Sequence, residues 1–210
     1  KVLTKIIYES NNFGQLVANK CFINGQYNNN IQWIINFEYN NLTISGSGNL
    51  PNYSLTTFPP WDSYKSSISL IIIEDGINYI GSYSFAGCIN LTRINIPKSV
   101  SSISNEAFIF CDSLDEFSVD SNNTNFSSVY GILFSKDEKI LISYPVHQAT
   151  QTCTIPDSIE SINSYAFSNC INIETLIIRQ NITDIDEFSF INCSNLNTLY
   201  YLGINEPSIH

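Results

Sequence analysis

The sequence predicts a solenoid built from short parallel β-strands, one turn per sequence repeat. The first observation is a period: Phe85 and Phe108, and again Phe167 and Phe190, are 23 residues apart. The second is that a cysteine follows each phenylalanine at one spacing, at Cys88, Cys111, Cys170 and Cys193. A unit of this size cannot bury its apolar side alone, so equivalent positions must stack from turn to turn.

Each repeat is expected to begin with a strand whose apolar residues follow the spacing L-x-x-L-x-L. These residues predict three buried columns: Leu91, Leu114, Ile173 and Leu196; Ile94, Phe117, Leu176 and Leu199; and Ile96, Val119, Ile178 and Tyr201. A polar or proline turn follows each strand, and [AS]-F-x-x-C then closes the repeat. The four phenylalanines are expected to form one aromatic column on the far side of the core.

The repeats are preceded by a different segment and interrupted once. Residues 1–65 are predicted to form an N-terminal β cap, and residues 66–210 the repeats. Cys111 and Cys170 are 59 residues apart, which is 13 more than two periods. The excess is assigned to a β-hairpin insertion at about residues 127–149, where two β-rich runs flank a charged turn. The repeat phase is expected to resume at Thr150, because Cys153 then falls in the slot of Ile94.

The repeat motif resembles the leucine-rich repeats of the BspA-like, or Treponema pallidum-type, surface proteins of mucosal bacteria and of protists such as Trichomonas. The insertion, with Tyr130-Gly131 and Tyr144-Pro145, resembles an element that this family often carries. The resemblance implies a leucine-rich repeat solenoid: a horseshoe-like parallel sheet with short helical or 3-10 turns on the other side and a β-type N-terminal cap. It also implies that the protein is secreted or sits at the cell surface.

Composition excludes several classes of function. The formal net charge is −10 and only 9 residues are Lys or Arg, without a cluster. A surface of this kind has no electrostatic footprint for nucleic acid or anionic lipid. The apolar runs are far shorter than the ~20 residues that a membrane-spanning helix needs. We therefore expect neither nucleic-acid binding nor membrane insertion by this chain.

The cysteines leave two alternatives. A slot that recurs in every repeat favours a column of buried free thiols, since free cysteine is among the most buried residue types. Neighbouring turns are nevertheless spaced closely enough for disulfide bonds. The absence of Cys-x-x-Cys and of interleaved histidines gives no indication of a zinc site.

The sequence does not predict an enzyme, a cofactor or a metal. Histidine is the usual catalytic acid or base, and the sequence has only His147 and His210; no motif for a nucleophile, a phosphate loop or a calcium loop is present. The acidic clusters 112–120 and 184–187 are interpreted as a solvated rim, with weak binding of divalent cations as the remaining alternative.

Solenoids act through extended surfaces, so the outward positions of the repeat strands are the candidate binding residues. They are Leu70, Ile72, Arg93, Asn95, Glu116, Ser118, Thr152, Thr154, Thr175, Ile177, Thr198 and Tyr200. Several are apolar or aromatic on a face that should be solvated. Two interpretations carry equal weight: a surface for a partner, or the ordinary β-propensity of Ile, Thr and Tyr.

The hypothesis that follows is a non-catalytic adhesin, in which, as the resemblance implies, the solenoid binds host extracellular-matrix or mucosal proteins. The alternatives are a carbohydrate-binding module, with Tyr200, Tyr201 and Trp61 as stacking residues, or a self-assembling surface scaffold. No polar cap is evident after Leu202. Either the chain is a piece of a longer array, or its C-terminal end pairs with another copy, giving a homo-oligomer.

Overall fold

The computed structural model describes residues 22–28, 30–203 and 206–210. Cys21 and the first part of the predicted cap lie outside these residues. The described chain is almost entirely strand and turn. Its elements in order are β1 (Phe22–Tyr27), β2 (Ile31–Asn36), β3 (Asn41–Gly46), β4 (Gly48–Asn49), a 3-10 helix (Asp62–Ser67), β5 (Leu70–Ile73), β6 (Ile77–Ile80), β7 (Arg93–Ile96), β8 (Ser102–Ile103), β9 (Glu116–Val119), β10 (Phe126–Val129), β11 (Ile132–Ser135), β12 (Ile140–Ser143), a second 3-10 helix (Val146–Gln148), β13 (Thr152–Thr154), β14 (Ser161–Ile162), β15 (Thr175–Ile178), β16 (Asp184–Ile185), β17 (Thr198–Tyr201) and β18 (Ser208–Ile209).

The N-terminal strands form an antiparallel meander. β1 pairs with β2 and β2 with β3, and Asn28 and Asn40 supply the left-handed backbone of the two turns. β3 then pairs in parallel with β5, the first repeat strand. The meander and the repeats therefore share one sheet, and their apolar residues belong to one core cluster.

Two parallel walls enclose the core of the repeats. β5, β7 and β9 form one wall, and residues 23 positions apart are direct partners, as with Arg93 and Glu116. β4, β6 and β8 form the wall on the other side. Later in the chain β13, β15 and β17 continue the first kind of wall, and β12, β14, β16 and β18 the second. The predicted solenoid is confirmed; its far side consists of short strands and tight turns, and 3-10 helix occurs in the described chain only before β5 and before β13.

The insertion divides the first wall into two parts. β10 and β11 form an antiparallel hairpin, and β11 continues antiparallel into β12. The hairpin lies against the free edge of β9, where the Phe117 amide donates to the carbonyl oxygen of Gly131 (2.9 Å) and the Val119 amide to the hydroxyl of Ser128 (3.2 Å). These bonds occupy the edge that β13 would otherwise use. β9 and β13 consequently belong to separate sheets, and the buried residues fall into two clusters.

The aromatic column is also divided. Trp61, Phe85 and Phe108 form one stack, with ring centroids 5.8 and 5.9 Å apart. Tyr144, Phe167 and Phe190 form the other, with centroids 4.9 and 5.2 Å apart. The prediction of one continuous column of four phenylalanines was therefore wrong: the hairpin separates Phe108 from Phe167, and Trp61 and Tyr144 each begin a stack.

Burial decreases at the C-terminal end of the repeats. Leu199, predicted to be a core residue, is 53% exposed, whereas Leu176 in the same slot one turn earlier is 0% exposed. Phe190 and Cys193 are only partly buried, in contrast to Phe167 and Cys170. The physical reason is that each turn is covered by the next, and no described strand packs beyond β17. The prediction that Leu199 is buried was wrong for this reason.

Candidate interaction surface

The twelve predicted binding residues lie on one side of the six repeat strands, and none of them is buried. We call this side the strand face. In each strand these residues alternate with residues directed into the core, because successive side chains of a strand point to opposite sides. The structure brings the twelve together as two groups of six: one on β5, β7 and β9, and one on β13, β15 and β17. The hairpin lies between the groups.

The first group contains the charges of the strand face. Leu70, Arg93 and Glu116 are direct partners in one row. Both Nε and Nη2 of Arg93 donate to Oε2 of Glu116, with the Nε contact at 2.9 Å. Their side chains remain 53% and 37% exposed, so the pair adds little to folding stability and stays available to a ligand. The second row of this group is Ile72, Asn95 and Ser118.

The second group is uncharged. Thr152, Thr175 and Thr198 are partners in one row. The adjacent row consists of Thr154, Ile177 and Tyr200, and the Tyr200 side chain is 56% exposed. The strand face thus has a charged half and a half of hydroxyl, aliphatic and aromatic groups.

A packed junction separates the two groups. The tip of the β10–β11 hairpin is Tyr130-Gly131, and Gly131 lies so close to Asp115 and Glu116 that an added Cβ would be 3.1 Å from the Asp115 carbonyl oxygen. The side chain of Gln148 donates to that same oxygen (2.6 Å), and Nδ1 of His147 lies 2.6 Å from Oδ1 of Asp115. Two segments, the hairpin tip and the second 3-10 helix, are therefore fastened to one turn of the solenoid.

Tyr130 at this junction is 89% exposed and is not among the twelve predicted residues. The prediction considered only the repeat strands, and Tyr130 lies in the insertion. The signal that could have located it is the Tyr-Gly pair between two β-rich runs, which is typical of a two-residue hairpin turn.

The repeat cysteines are thiols. Cys88, Cys111, Cys153, Cys170 and Cys193 are all free. The thiols of Cys111 and Cys193 donate to the carbonyl oxygens of Phe85 and Phe167 in the preceding turn, at 3.2 and 3.1 Å. Burial raises the pKa of Cys88 to about 12 and also raises the pKa values of Cys111 and Cys170. A buried protonated thiol is a poor nucleophile and a poor metal ligand, so this column is structural.

The carboxylates of the predicted rim are held by neighbouring turns. Asp112 accepts a hydrogen bond from Asn169 (3.0 Å), Asp186 accepts one from the Ser164 amide (3.3 Å), and Asp184 lies 3.0 Å from His210. Among the described residues, no three His, Cys, Asp or Glu side chains are grouped as a metal site. In the same part of the chain, no helix has the length and apolar character needed to cross a bilayer.

A cavity of about 130 Å³ lies away from the strand face, between the cap and the turns that follow β6 and β8. Leu55, Phe58, Tyr83 and Phe110 line it, together with the ion pair of Asp62 and Lys65. It is small compared with ligand pockets of roughly 300 Å³ or more. The strand face is therefore the larger candidate surface.

Two of the three residues proposed for sugar stacking do not offer a free ring. Trp61 is 1% exposed, packs against Phe85, and its indole Nε1 donates to the Ser84 carbonyl oxygen (2.8 Å). Tyr201 is partly buried and packs against the second core cluster. Of the three residues, only Tyr200 has a side chain exposed enough for a sugar to stack on its ring.

Comparisons with known proteins agree with this architecture. A family model described as "BspA type Leucine rich repeat region" matches six copies over residues 14–140 and 146–205. No curated protein sequence matches the chain. Among solved structures, the pneumococcal vaccine antigen PcpA is 19% identical, with 83% of this chain and 69% of that chain covered and a TM-score of 0.52.

Two further structures are similar at lower TM-scores. A leucine-rich repeat protein from Eubacterium ventriosum is 21% identical, with 90% of this chain and 73% of that chain covered and a TM-score of 0.45. The leucine-rich repeat protein of T. pallidum is 17% identical, with 85% of each chain covered and a TM-score of 0.45. The family match spans most of the sequence and coincides with the observed turns. This chain belongs to the BspA-type leucine-rich repeat family.

Proposed function

We propose that this chain is a non-catalytic interaction protein, secreted or displayed at a cell surface, that binds host extracellular-matrix or mucosal proteins through the strand face. The observation that carries the proposal is the strand face itself: twelve accessible side chains in rows on two walls of parallel strands, with the hairpin between them. A sheet of this kind holds its side chains in place before binding, so little conformational entropy is lost when a partner docks.

The chemistry of the surface supports a protein partner. Arg and Tyr are enriched among the residues that dominate binding energies in protein interfaces, and Arg93, Tyr200 and Tyr130 are all exposed on or beside the strand face. Charged, hydroxyl and apolar groups occur in adjacent rows, as in the mixed surfaces of transient complexes. The cell-surface location rests on the resemblance of the repeats to BspA-like surface proteins.

The test is a binding screen of the chain against immobilised extracellular-matrix proteins and mucins. We expect at least one to be retained with a dissociation constant in the micromolar range or below, i.e. a binding free energy of about −8 kcal/mol or stronger. The double variant Arg93→Ala/Glu116→Ala removes the charges of the strand face, and we expect it to weaken binding at least about tenfold.

The chain offers a matched control on its opposite side. Lys139 and Glu160 flank β12 and β14, and their side chains form an ion pair at 2.6 Å that is exposed to a similar degree. The variant Lys139→Ala/Glu160→Ala therefore removes the same chemistry from the other wall. The proposal fails if nothing in the panel is retained, or if the two double variants weaken binding equally.

A further inference from the structure

A row of side chains follows the short strands of the second wall, away from the strand face. Its members are Tyr83, Glu106, Tyr165 and Phe188, which each lie three residues after the end of a strand (β6, β8, β14 and β16). None of these four side chains is buried. We call them the turn row. Because equivalent turns stack on each other, the row runs along the solenoid as the rows of the strand face do.

The backbone of the turn row does not account for its aromatic rings. Tyr83, Tyr165 and Phe188 have φ values of 58°, 61° and 59°, in the left-handed region that bulky residues rarely adopt. The repeats have a second left-handed position four residues later, which holds Gly87, Phe110, Asn169 and Asn192. Gly and Asn are the residues that this conformation favours. They predominate at the second position, whereas the turn row has aromatic rings at three of its four.

Glu106 lies between the two tyrosines of the row. The Tyr83 amide donates to the carbonyl oxygen of Glu106 (3.3 Å), so these two turns are adjacent. On the other side, the Asn163 side chain donates to that of Asn105 (3.1 Å), which brings the turn of Tyr165 beside that of Glu106. Burial raises the pKa of the Tyr165 hydroxyl, and the charge of Glu106 raises it further. The carboxylate is therefore close to the Tyr165 ring.

The carboxylate of Glu106 is held in place but not neutralised. Its Oε2 accepts hydrogen bonds from the hydroxyls of Ser104 (2.6 Å) and Ser82 (3.2 Å). Within the part of the chain that the structure describes, no ion pair involves Glu106 or Glu187, whose charge also raises the pKa of Tyr165. The turn row thus presents negative charge beside aromatic rings without a cation bound to it.

This combination suits a guanidinium group. Lys65, which lines the same cavity as Tyr83, is paired with Asp62 at 2.9 Å and so does not neutralise Glu106. The faces of aromatic rings attract cations. The planar guanidinium of arginine binds a carboxylate through two parallel hydrogen bonds and also stacks on aromatic rings. A carboxylate with a tyrosine on either side offers both interactions.

We propose that the turn row binds an arginine-rich segment of a partner protein, and that one guanidinium of this segment pairs with Glu106 between the rings of Tyr83 and Tyr165. The formal net charge of −10 attracts such a segment to the chain, and the turn row supplies the specific contacts. This surface is separate from the strand face. Binding at one of them therefore does not depend on binding at the other.

Titration calorimetry with hexa-arginine and hexa-lysine peptides, at an ionic strength of about 0.15 M, tests the proposal. We expect hexa-arginine to bind with a dissociation constant of about 100 µM or lower. Hexa-lysine carries the same charge, but an ammonium group has neither the planar face nor the paired donors of a guanidinium. We therefore expect hexa-lysine to bind at least about threefold more weakly.

Two variants separate the rings from the charge. Tyr83→Asn/Tyr165→Asn removes both rings and introduces a residue that tolerates a positive φ, and we expect it to weaken hexa-arginine binding at least about fivefold. Glu106→Gln removes the charge and keeps an oxygen that can accept from Ser104, and we expect a loss of at least about threefold. The matched control is Glu174→Gln, since Glu174 is an exposed carboxylate near β15 that also accepts a side-chain hydrogen bond. It should bind hexa-arginine as the unchanged chain does.

Circular dichroism melts of all variants establish that each is folded. The strand-face variant Arg93→Ala/Glu116→Ala should leave hexa-arginine binding unchanged, so the two proposed surfaces are tested separately. Hexa-arginine binding that is weaker than expected, or no tighter than that of hexa-lysine, overturns the proposal. So does full affinity in the variant without the two rings. An equal loss in Glu174→Gln and Glu106→Gln also overturns it, because the peptide would then respond only to net charge.

Discussion

Tyr144 of the insertion stacks on Phe167 of the following repeat, with ring centroids 4.9 Å apart and an angle of 23° between the rings. The Tyr144 amide also donates to the carbonyl oxygen of Ala166, as the Phe85 amide donates to that of Ala107. Tyr144 thus takes the place that a repeat phenylalanine holds in an ordinary turn. Burial and the contact with Cys153 raise the pKa of the Tyr144 hydroxyl. The insertion is therefore part of the second core.

Replacing Tyr144 should test this role. We expect Tyr144→Ala to lower the free energy of unfolding by about 3 kcal/mol, because the stack on Phe167 is lost and a cavity forms. Tyr144→Phe keeps the ring and removes only the hydroxyl contact with Cys153, at a cost of about 1 kcal/mol or less. Urea unfolding followed by circular dichroism measures both changes.

Tyr130→Ala is the control for that experiment, since Tyr130 is in the same insertion but almost fully exposed. It should change stability by no more than about 0.5 kcal/mol. A loss in Tyr144→Ala as small as in Tyr130→Ala would show that the insertion does not support the core.

The period of the sequence was sufficient to predict the turns of the fold, because every turn must bury its apolar residues against the neighbouring turns in the same way. Leu176 and Ile94 are buried as their shared slot predicts. The period gave a wrong prediction for Leu199, because it predicts the same burial for the equivalent residue of every repeat. The burial of such a residue also depends on whether another turn packs against it. The sequence did not show that Tyr144 is equivalent to a repeat phenylalanine, because its distance from the preceding strand is different. Leu141 and Ile162 are strand partners, but Tyr144 follows Leu141 by three residues, whereas Phe167 follows Ile162 by five.

The strand face could be predicted only in part. Alternation along each strand identifies the outward side chains, because it is a local property of the chain. The gap between Glu116 and Thr152 is not local: it arises because the hairpin accepts hydrogen bonds from the edge of β9, at the carbonyl oxygen of Gly131 and the hydroxyl of Ser128. Nothing in the sequence of β9 distinguishes an edge that meets a hairpin from one that meets another repeat.

The thiol column should react in an order set by burial. We expect Cys193, which is only partly buried, to be alkylated by iodoacetamide in the native chain at pH 8 before the four buried cysteines of the repeats. Cys88, Cys111 and Cys170 should react at least about tenfold more slowly, because they are buried and their raised pKa values leave little thiolate. Mass spectrometry of the digested protein measures each site, and equal labelling of Cys193 and Cys170 would contradict the prediction.

Stability should fall at alkaline pH. A thiol in the unfolded chain has a pKa near about 8.5, while burial raises the pKa of Cys88 to about 12 in the folded chain. At pH values below the lower pKa, the thiol is protonated in both the folded and the unfolded chain, and its full contribution to the free energy of unfolding is present. Between the two values only the unfolded chain releases the proton, so the free energy of unfolding decreases by about 1.4 kcal/mol per pH unit for each such thiol.

Urea unfolding at several pH values between 8 and 10 measures this slope. Cys111 and Cys170, whose pKa values are also raised by burial, add to it. The variant Cys88→Ala should be less stable at neutral pH because of the cavity, yet its slope should be shallower by the share of one thiol. A slope that Cys88→Ala leaves unchanged would show that this thiol does not titrate on unfolding.

Substitutions at two glycines near the junction of cap and repeats can distinguish the energetic cost of backbone strain from that of a steric clash. Gly46 and Gly48 both have a positive φ, at +107° and +117°, which costs any residue with a Cβ about 1–2 kcal/mol. A Cβ on Gly46 would also collide with the carbonyl oxygen of Asn30, which accepts a hydrogen bond from the Ser47 amide (3.1 Å). A Cβ on Gly48 would meet no atom within 4 Å.

We therefore expect Gly46→Ala to destabilise the chain more than Gly48→Ala by at least about 1 kcal/mol, since β3 or the β1–β2 hairpin must shift to make room. The measurement is the urea midpoint of each variant at an unchanged denaturant slope. Because strain is common to both variants, the difference between them isolates the contact with Asn30. Equal midpoints would mean that the turn at Asn30 is not packed against Gly46 as closely as the structure has it.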